Sequence, residues 1–306
     1  MLQEGDVVND YFLATRKDLR EGSNGGKFLG MVFKDRTGEI GGILWNNAVS
    51  AARLFDVGDV VNVRGSITSY QDRLQVRVEQ VLPLQESEYS REELIVMAED
   101  GEESLVKLKE ILASVKNEWI AKLVNSFLDD ADFMKRFSEA AAGKRWHHAY
   151  RGGLVRHCYE VARIAICVCD LFPNADRDLM IAGAFLHDIG KLDEMSQEML
   201  VDYTTAGKLL GHIEISADMI RARINAIPDF PDTLRMHILH CILAHHGELV
   251  NGSPVVPKTL ESMLLYQCDN LDAQVDALSR VIRESKEKRQ EWSEYIPLIS
   301  RQIWTK

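Results

Sequence analysis

No stretch of this 306-residue chain approaches the roughly 20 consecutive apolar residues needed to cross a bilayer. The opening residues, MLQEGDVVND, have neither the basic n-region nor the apolar h-region of a secretion signal. Those two absences lead to the expectation of a cytoplasmic protein with no membrane partner. Cysteine is scarce as well. The five present, Cys158, Cys167, Cys169, Cys241 and Cys268, are odd in number and form no C-x-x-C pair, which excludes a disulfide framework or a zinc ribbon and leaves reduced core thiols. Positive charge is in deficit: the net charge is -11, whereas proteins that grip phosphates ordinarily carry a basic footprint. The deficit is uneven, because the first 85 residues hold ten Lys/Arg against eleven Asp/Glu, and all but one of the net negative charges lie beyond them. An acidic cluster there can seat bound metal rather than repel a substrate. Histidine is missing from the first 146 residues; all nine follow.

What is present falls into two halves with different periods. Up to Leu84 the chain reads as strands, through VVNDYFLATRKDL, GGKFLGMVFKDRTGEIGGILWNN and GDVVNVRGSITSYQDRLQVRVEQVLPL. β-branched and aromatic residues dominate, with turns at Gly25-Gly26, Thr37-Gly38 and Gly58-Asp59. Val61, Val63, Gly65 and Ile67 alternate on one face, as do Leu74, Val76 and Val78. About five strands, with a short helix near residues 48–55 between the third and fourth, predict an OB barrel over residues 1–84. GEIGGILWN and GDVVNVRGSI resemble the OB modules of single-strand-binding proteins. Residues 85–103, acidic and without period, read as a linker or a wrapped arm. From 104 to 306 the apolar residues recur at three and four, which predicts an all-α domain, beginning with one helical stretch LVKLKEILASVKNEWIAKLVNSFL.

The helical half places His157, His187-Asp188, His212, His245-His246 and Asp269 in separate predicted helices or at their ends. Side chains from facing helices of a bundle can converge on metal, and imidazole with carboxylate suits manganese, iron, zinc or nickel. GGLVRHCYEV, FLHDIGK, GKLLGHI, LAHHG and YQCDNLDA, in that order, resemble the HD superfamily of metal-dependent phosphohydrolases. The resemblance implies one ion held by His157, His187, Asp188 and Asp269, and a second by Asp188, His212 and His245. Asp188 then bridges. Manganese is the favoured metal, with iron, nickel, cobalt or zinc as alternatives.

Around that set, Lys191 is a candidate for a phosphate oxygen or else a snorkelling helix-end lysine. Asp272, one turn from Asp269, is a candidate to orient the attacking water or a plain supporting carboxylate. His148, Arg151 and Lys208 are candidates for substrate phosphate, and His246 for substrate or ligand support, or for the ligand role given to His245. Arg145 joins Lys191, Arg151 and Lys208 as a source of positive charge, whereas His147, His237 and His240 read as surface or satisfied core residues. In IGGILW, Ile40, Gly42 and Leu44 share one face, so Trp45 points with Gly41 and Ile43 to the other. Trp45 is therefore a stacking platform for a base, or a cap on the barrel end, with Phe33, Lys34, Arg64 and Tyr70 as its expected helpers.

An OB module joined to HHAYRGGLVRH, IAGAFLHDIGK and DYTTAGKLLGHI resembles the YhaM-type 3′-to-5′ exoribonucleases from the barrel to Asp272. That resemblance implies a manganese-favouring hydrolase trimming single-stranded RNA, and single-stranded DNA, from the 3′ end to nucleoside monophosphates. A homo-oligomer is open as well. Gly153 stands where some trinuclear HD relatives carry a glutamate, so a third ion has no support. Two alternatives stay open: a phosphohydrolase of nucleotides or cyclic dinucleotides with the barrel as regulator, and a single-strand binder with a relic site.

Overall fold

The computed structural model describes residues 2–22, 25–71, 73–95, 100–144, 148–196 and 198–306. Arg145 and His147 lie outside the described residues. Contacts divide the chain into two compact units, Met1–Val96 with Glu198–Leu200, and Met97–Gln197 with Val201–Lys306.

The first unit is a five-stranded OB barrel. Strands β1 (Val7–Glu21), β2 (Lys27–Asp35), β3 (Gly38–Leu44), β4 (Val60–Tyr70) and β5 (Arg73–Pro83) close in the order β1-β2-β3-β5-β4. The short helix α1 (Ala48–Ala51) stands between β3 and β4. Period-two alternation sends Leu29, Met31 and Phe33 of β2, and Val61, Val63 and Ile67 of β4, into the interior. On β5 the buried series is Val76, Val78 and Val81. The step of three follows from a register shift, in which Arg64 pairs with Gln80 but Gly65 with Val78. Leu74, expected in that series, is exposed near the end of the hairpin.

The expected 85–103 linker is largely structured where it is described. A short 3₁₀ turn at Glu86–Glu88 leads into α2 (Arg91–Leu94), and Leu94 is buried with Leu13 and Val60 of the barrel. The arm is thus part of the first unit's core.

The second unit is helical: α3 (Gly101–Ala113), α4 (Glu118–Leu128), α5 (Ala131–Glu139), α6 (Gly153–Leu171), α7 (Arg177–Leu186), α8 (Lys191–Glu194), α9 (Thr205–Asn225), α10 (Asp232–Leu243) and α11 (Leu260–Glu287). The single stretch expected across residues 105–128 is two helices. Asn117 accepts from the backbone of Trp119 and Ile120 and so caps α4, while the Asp178 carboxylate accepts from the Lys116 and Asn117 backbone at the break. Residues 179–186 of α7 are buried without exception, and Phe185 packs edge-on against Phe127, Phe133 and Phe137. A helix apolar on every side must be central. Its C-terminal end therefore delivers His187 and Asp188 into the interior.

Candidate metal centre and strand-binding face

Six side chains from five places in the helical unit meet at Asp188. His157 comes from α6, His187 and Asp188 from the end of α7, His212 from α9, His245 from the end of α10 and Asp269 from α11. His157 Nε2 stands 3.0 Å from His187 Nε2, 3.3 Å from Asp188 Oδ2 and 3.2 Å from Asp269 Oδ1. On the other oxygen, Asp188 Oδ1 is 3.4 Å from His212 Nε2 and 3.7 Å from His245 Nε2. A ring nitrogen of His246 groups with those of His212 and His245 within 4.8 Å. One carboxylate thus offers an oxygen to each of two nitrogen-rich clusters.

The opposite edge of each ring is held. Nδ1 of His187 donates to the Ala184 carbonyl at 3.1 Å, and Nδ1 of His245 to the Ile242 carbonyl at 2.6 Å. Nδ1 of His212 donates to Glu194 at 3.0 Å, and Nδ1 of His157 to Asp272 at 2.6 Å. His246 follows the pattern, donating Nδ1 to the Asn251 carbonyl at 3.0 Å. Such support fixes the orientation of each ring and turns Nε2 toward the centre, the atom a metal takes.

The residues fit divalent cations on a direct observation. Asp188 Oδ1, His212 Nε2 and His245 Nε2 are buried without a hydrogen-bond partner among the described residues. Orphaned buried acceptors are costly, and three converging on one point are accounted for by a cation between them. Burial alone would push Asp188 up, but Lys191, His187 and His157 outweigh it and hold the carboxyl well below its ordinary range. Burial opposes a proton on His157, yet Asp188, Asp269 and Asp272 overcome it and raise its pKa well above normal. His245, buried beside His187 and His246, is pushed well below normal and stays neutral.

Local sequence explains the positions. A side chain on Gly190 would place its Cβ 2.2 Å from the His212 carbonyl oxygen, so the glycine of HDIGK lets that turn press on α9. Gly153 plays the same part for α6, where a Cβ would fall 2.1 Å from the His148 carbonyl oxygen.

Several expected substrate contacts are placed elsewhere. His148 is only 1 % exposed; its Nε2 lies 3.0 Å from Asp272 and its Nδ1 2.8 Å from the Tyr150 hydroxyl. Asp272, expected to meet the attacking water, faces Nδ1 of His157 rather than the side where the ligand atoms converge. Arg151 is paired with Glu139. Lys191 is buried against Asp188 Oδ2 at 2.5 Å, which makes it the counter-charge of that carboxylate. Lys208 is exposed on α9 and carries no ion pair among the described residues. His237 Nε2 lies 3.1 Å from Glu261 without forming a hydrogen bond among the described residues, and His240 accepts from the Lys258 backbone.

On the barrel, Trp45 is 52 % exposed, and its neighbour is Phe28, with ring centroids 4.8 Å apart. Phe33 is fully buried in the barrel core and cannot stack on a base. Arg64 is exposed on β4, a strand that adjoins neither β2 nor β3. Tyr70 is exposed at the end of β4, and Lys34 pairs in register with Glu39. The outer face beside Trp45 holds other residues. Arg20 stands opposite Phe28, Gly30 opposite Ile43, and Ile43 opposite Arg77, with Arg16 and Arg20 both bonded to Asp18. Phe28 was legible: it shares the parity of Gly30 and Val32, opposite to the buried Leu29, Met31 and Phe33.

Comparison with known proteins agrees with both halves. Residues 154–274 match the HD domain family, and residues 13–84 match the OB-fold nucleic acid binding domain family. The solved second OB-fold domain of replication protein A from Methanococcus maripaludis is similar at 25% identity, over 29% of this chain and 90% of that one, with a TM-score of 0.22. The chain is thus a five-stranded OB barrel followed by a helical HD domain. Among the described residues no helix is long and apolar enough to cross a membrane.

Proposed function

We propose that this protein is a 3′-to-5′ exonuclease of the YhaM type, which hydrolyses single-stranded RNA, and single-stranded DNA, to nucleoside monophosphates. The observation that supports it most is the division of Asp188 between two histidine clusters in a chain that also carries an exposed aromatic face on an OB barrel. In this reading His157, His187, Asp188 and Asp269 hold one divalent ion and Asp188, His212 and His245 another, manganese being favoured. Ions in these places supply Lewis acidity to a phosphodiester oxygen and lower the pKa of an attacking water.

The rest is done by the chain. Asp188 stays ionised because the Lys191 ammonium lies against it. Asp272 and Glu194 keep the rings of His157 and His212 turned toward the centre. Phe28 and Trp45 offer π-faces for bases, with Arg16, Arg20 and Arg77 for the backbone phosphates, a combination that holds a strand without reading its sequence. The extent of each domain follows: residues 1–84, with the arm beyond them, bind the strand and residues 104–306 cut it.

The test compares substrates. With manganese, hydrolysis of single-stranded oligonucleotides and none of mononucleotides or cyclic dinucleotides is the expected result. Hydrolysis of the small nucleotides alone would move the function to a nucleotide phosphohydrolase with a regulatory barrel.

A further inference from the structure

After α11 the chain turns back on itself. Trp292 pairs with Trp304 and Ile296 with Arg301 in antiparallel bridges, joined through a 3₁₀ turn at Pro297–Ile299. The Ser293 backbone N–H donates to the Ile303 carbonyl, the Thr305 N–H to the Glu291 carbonyl, and the Thr305 hydroxyl to the Gln290 carbonyl at 2.7 Å. Ser293 and Thr305 are buried, at 4 % and 2 % exposure. By the period of two, the residues opposite them in phase face outward, and those are the two tryptophans, 54 % and 57 % exposed. Tyr295 is exposed as well. Two opposed indoles are left in water at this end of the unit, and scattered exposure does not account for a cross-strand pair.

Charge identifies what covers them. From Arg280 to Lys306 the chain carries seven Lys/Arg against four Asp/Glu, a local excess of positive charge in a protein of net charge -11. Arg283, Lys286, Lys288, Arg289 and Arg301 have no ion-pair partner among the described residues. Aromatic platforms flanked by unpaired cations suit a single nucleic-acid strand, whose bases stack while its phosphates meet the cations.

We infer that the hairpin of residues 290–306, with Arg289 and Arg301, is a second single-strand contact, separate from the barrel. The inference rests on the reading that the substrate is a strand. It also adds a length requirement. Along α11, Asp269 of the metal centre and Glu287 beside the hairpin are separated by about 27 Å at 1.5 Å per residue, so only a strand of several nucleotides touches both.

The experiment uses the full chain in chelator, so that nothing is cut, with fluorescent single-stranded RNA of about 20 nucleotides. Trp292→Ala/Trp304→Ala is expected to weaken binding at least about tenfold, with little loss for a trinucleotide too short to span the distance. Arg289→Ala/Arg301→Ala is expected to lower the slope of log K against log salt by about 1.4, for two phosphate contacts. Both variants should melt as wild type does. Wild-type affinity in the tryptophan variant overturns the inference while leaving the exonuclease reading intact; so does a change in its oligomeric state with RNA affinity unaltered, which would make the pair a self-association surface. A wild-type protein that binds no RNA would remove both.

Discussion

Asp269 and Asp272, one helical turn apart on α11, approach the His157 ring from opposite sides: Asp269 Oδ1 is 3.2 Å from Nε2 and Asp272 Oδ2 is 2.6 Å from Nδ1. One carboxylate shares the converging face and the other grips the ring from behind. Asp272→Asn is therefore expected to weaken manganese binding about 10- to 100-fold, the usual cost of losing a carboxylate behind a ligating histidine. Because Asp272 acts through His157, kcat at saturating metal should recover most of its value. Calorimetric titration with the metal and kcat measured against metal concentration check this. Wild-type affinity with a lost kcat would return Asp272 to the role of water-orienting base.

His157 holds a proton in the metal-free protein, since three carboxylates raise its pKa against the effect of burial. A metal that takes Nε2 must displace that proton. Manganese binding should thus release protons near neutral pH, and apparent affinity should rise with pH through that range. Titrations in two buffers of different ionisation enthalpy count the protons. Identical heats in both buffers would contradict the expectation.

The orphaned atoms of Asp188, His212 and His245 make the folded state a better metal binder than the unfolded one. At a free metal concentration 100 times Kd the linkage is about 2.7 kcal/mol. For a unit of this size that raises Tm by about 5–10 °C. Thermal melts with manganese and with chelator measure it, and coincident curves would mean that the cluster holds no ion.

Phe33 and Trp45 separate the barrel's stability from its binding. Trp45→Ala should cost about 1–3 kcal/mol of single-strand affinity with little change in melting. Phe33→Ala, in a fully buried position, should destabilise the barrel by about 3–5 kcal/mol. Paired binding and melting measurements on the two variants test the contrast, and equal melting temperatures would refute it.

Much of this was legible in the sequence. Alternation gave the barrel's strands because each has one wet and one dry face, and the histidines that converge on Asp188 stood out because histidines in successive helices have few other reasons to recur. What escaped depended on direction and contact. Sequence spacing puts Asp272 one turn from Asp269, but not on which edge of His157 each lands. His148 carries the same chemistry as a substrate ligand, and only its burial against Asp272 and Tyr150 separates the two. Phe33 and Phe28 differ by parity alone, and a strand's parity is fixed by register. The break before α4 turned on a cap supplied by Asn117 and held by Asp178, sixty-one residues away.

The central claim is that Asp188 serves a metal-dependent exonuclease. Its most direct test incubates single-stranded RNA labelled at the 5′ end with manganese, using wild type, wild type with chelator, and Asp188→Ala. A ladder shortening from the 3′ end, in the wild-type reaction with metal alone, is the predicted result. A strand left intact in every reaction, or cut internally, would contradict it.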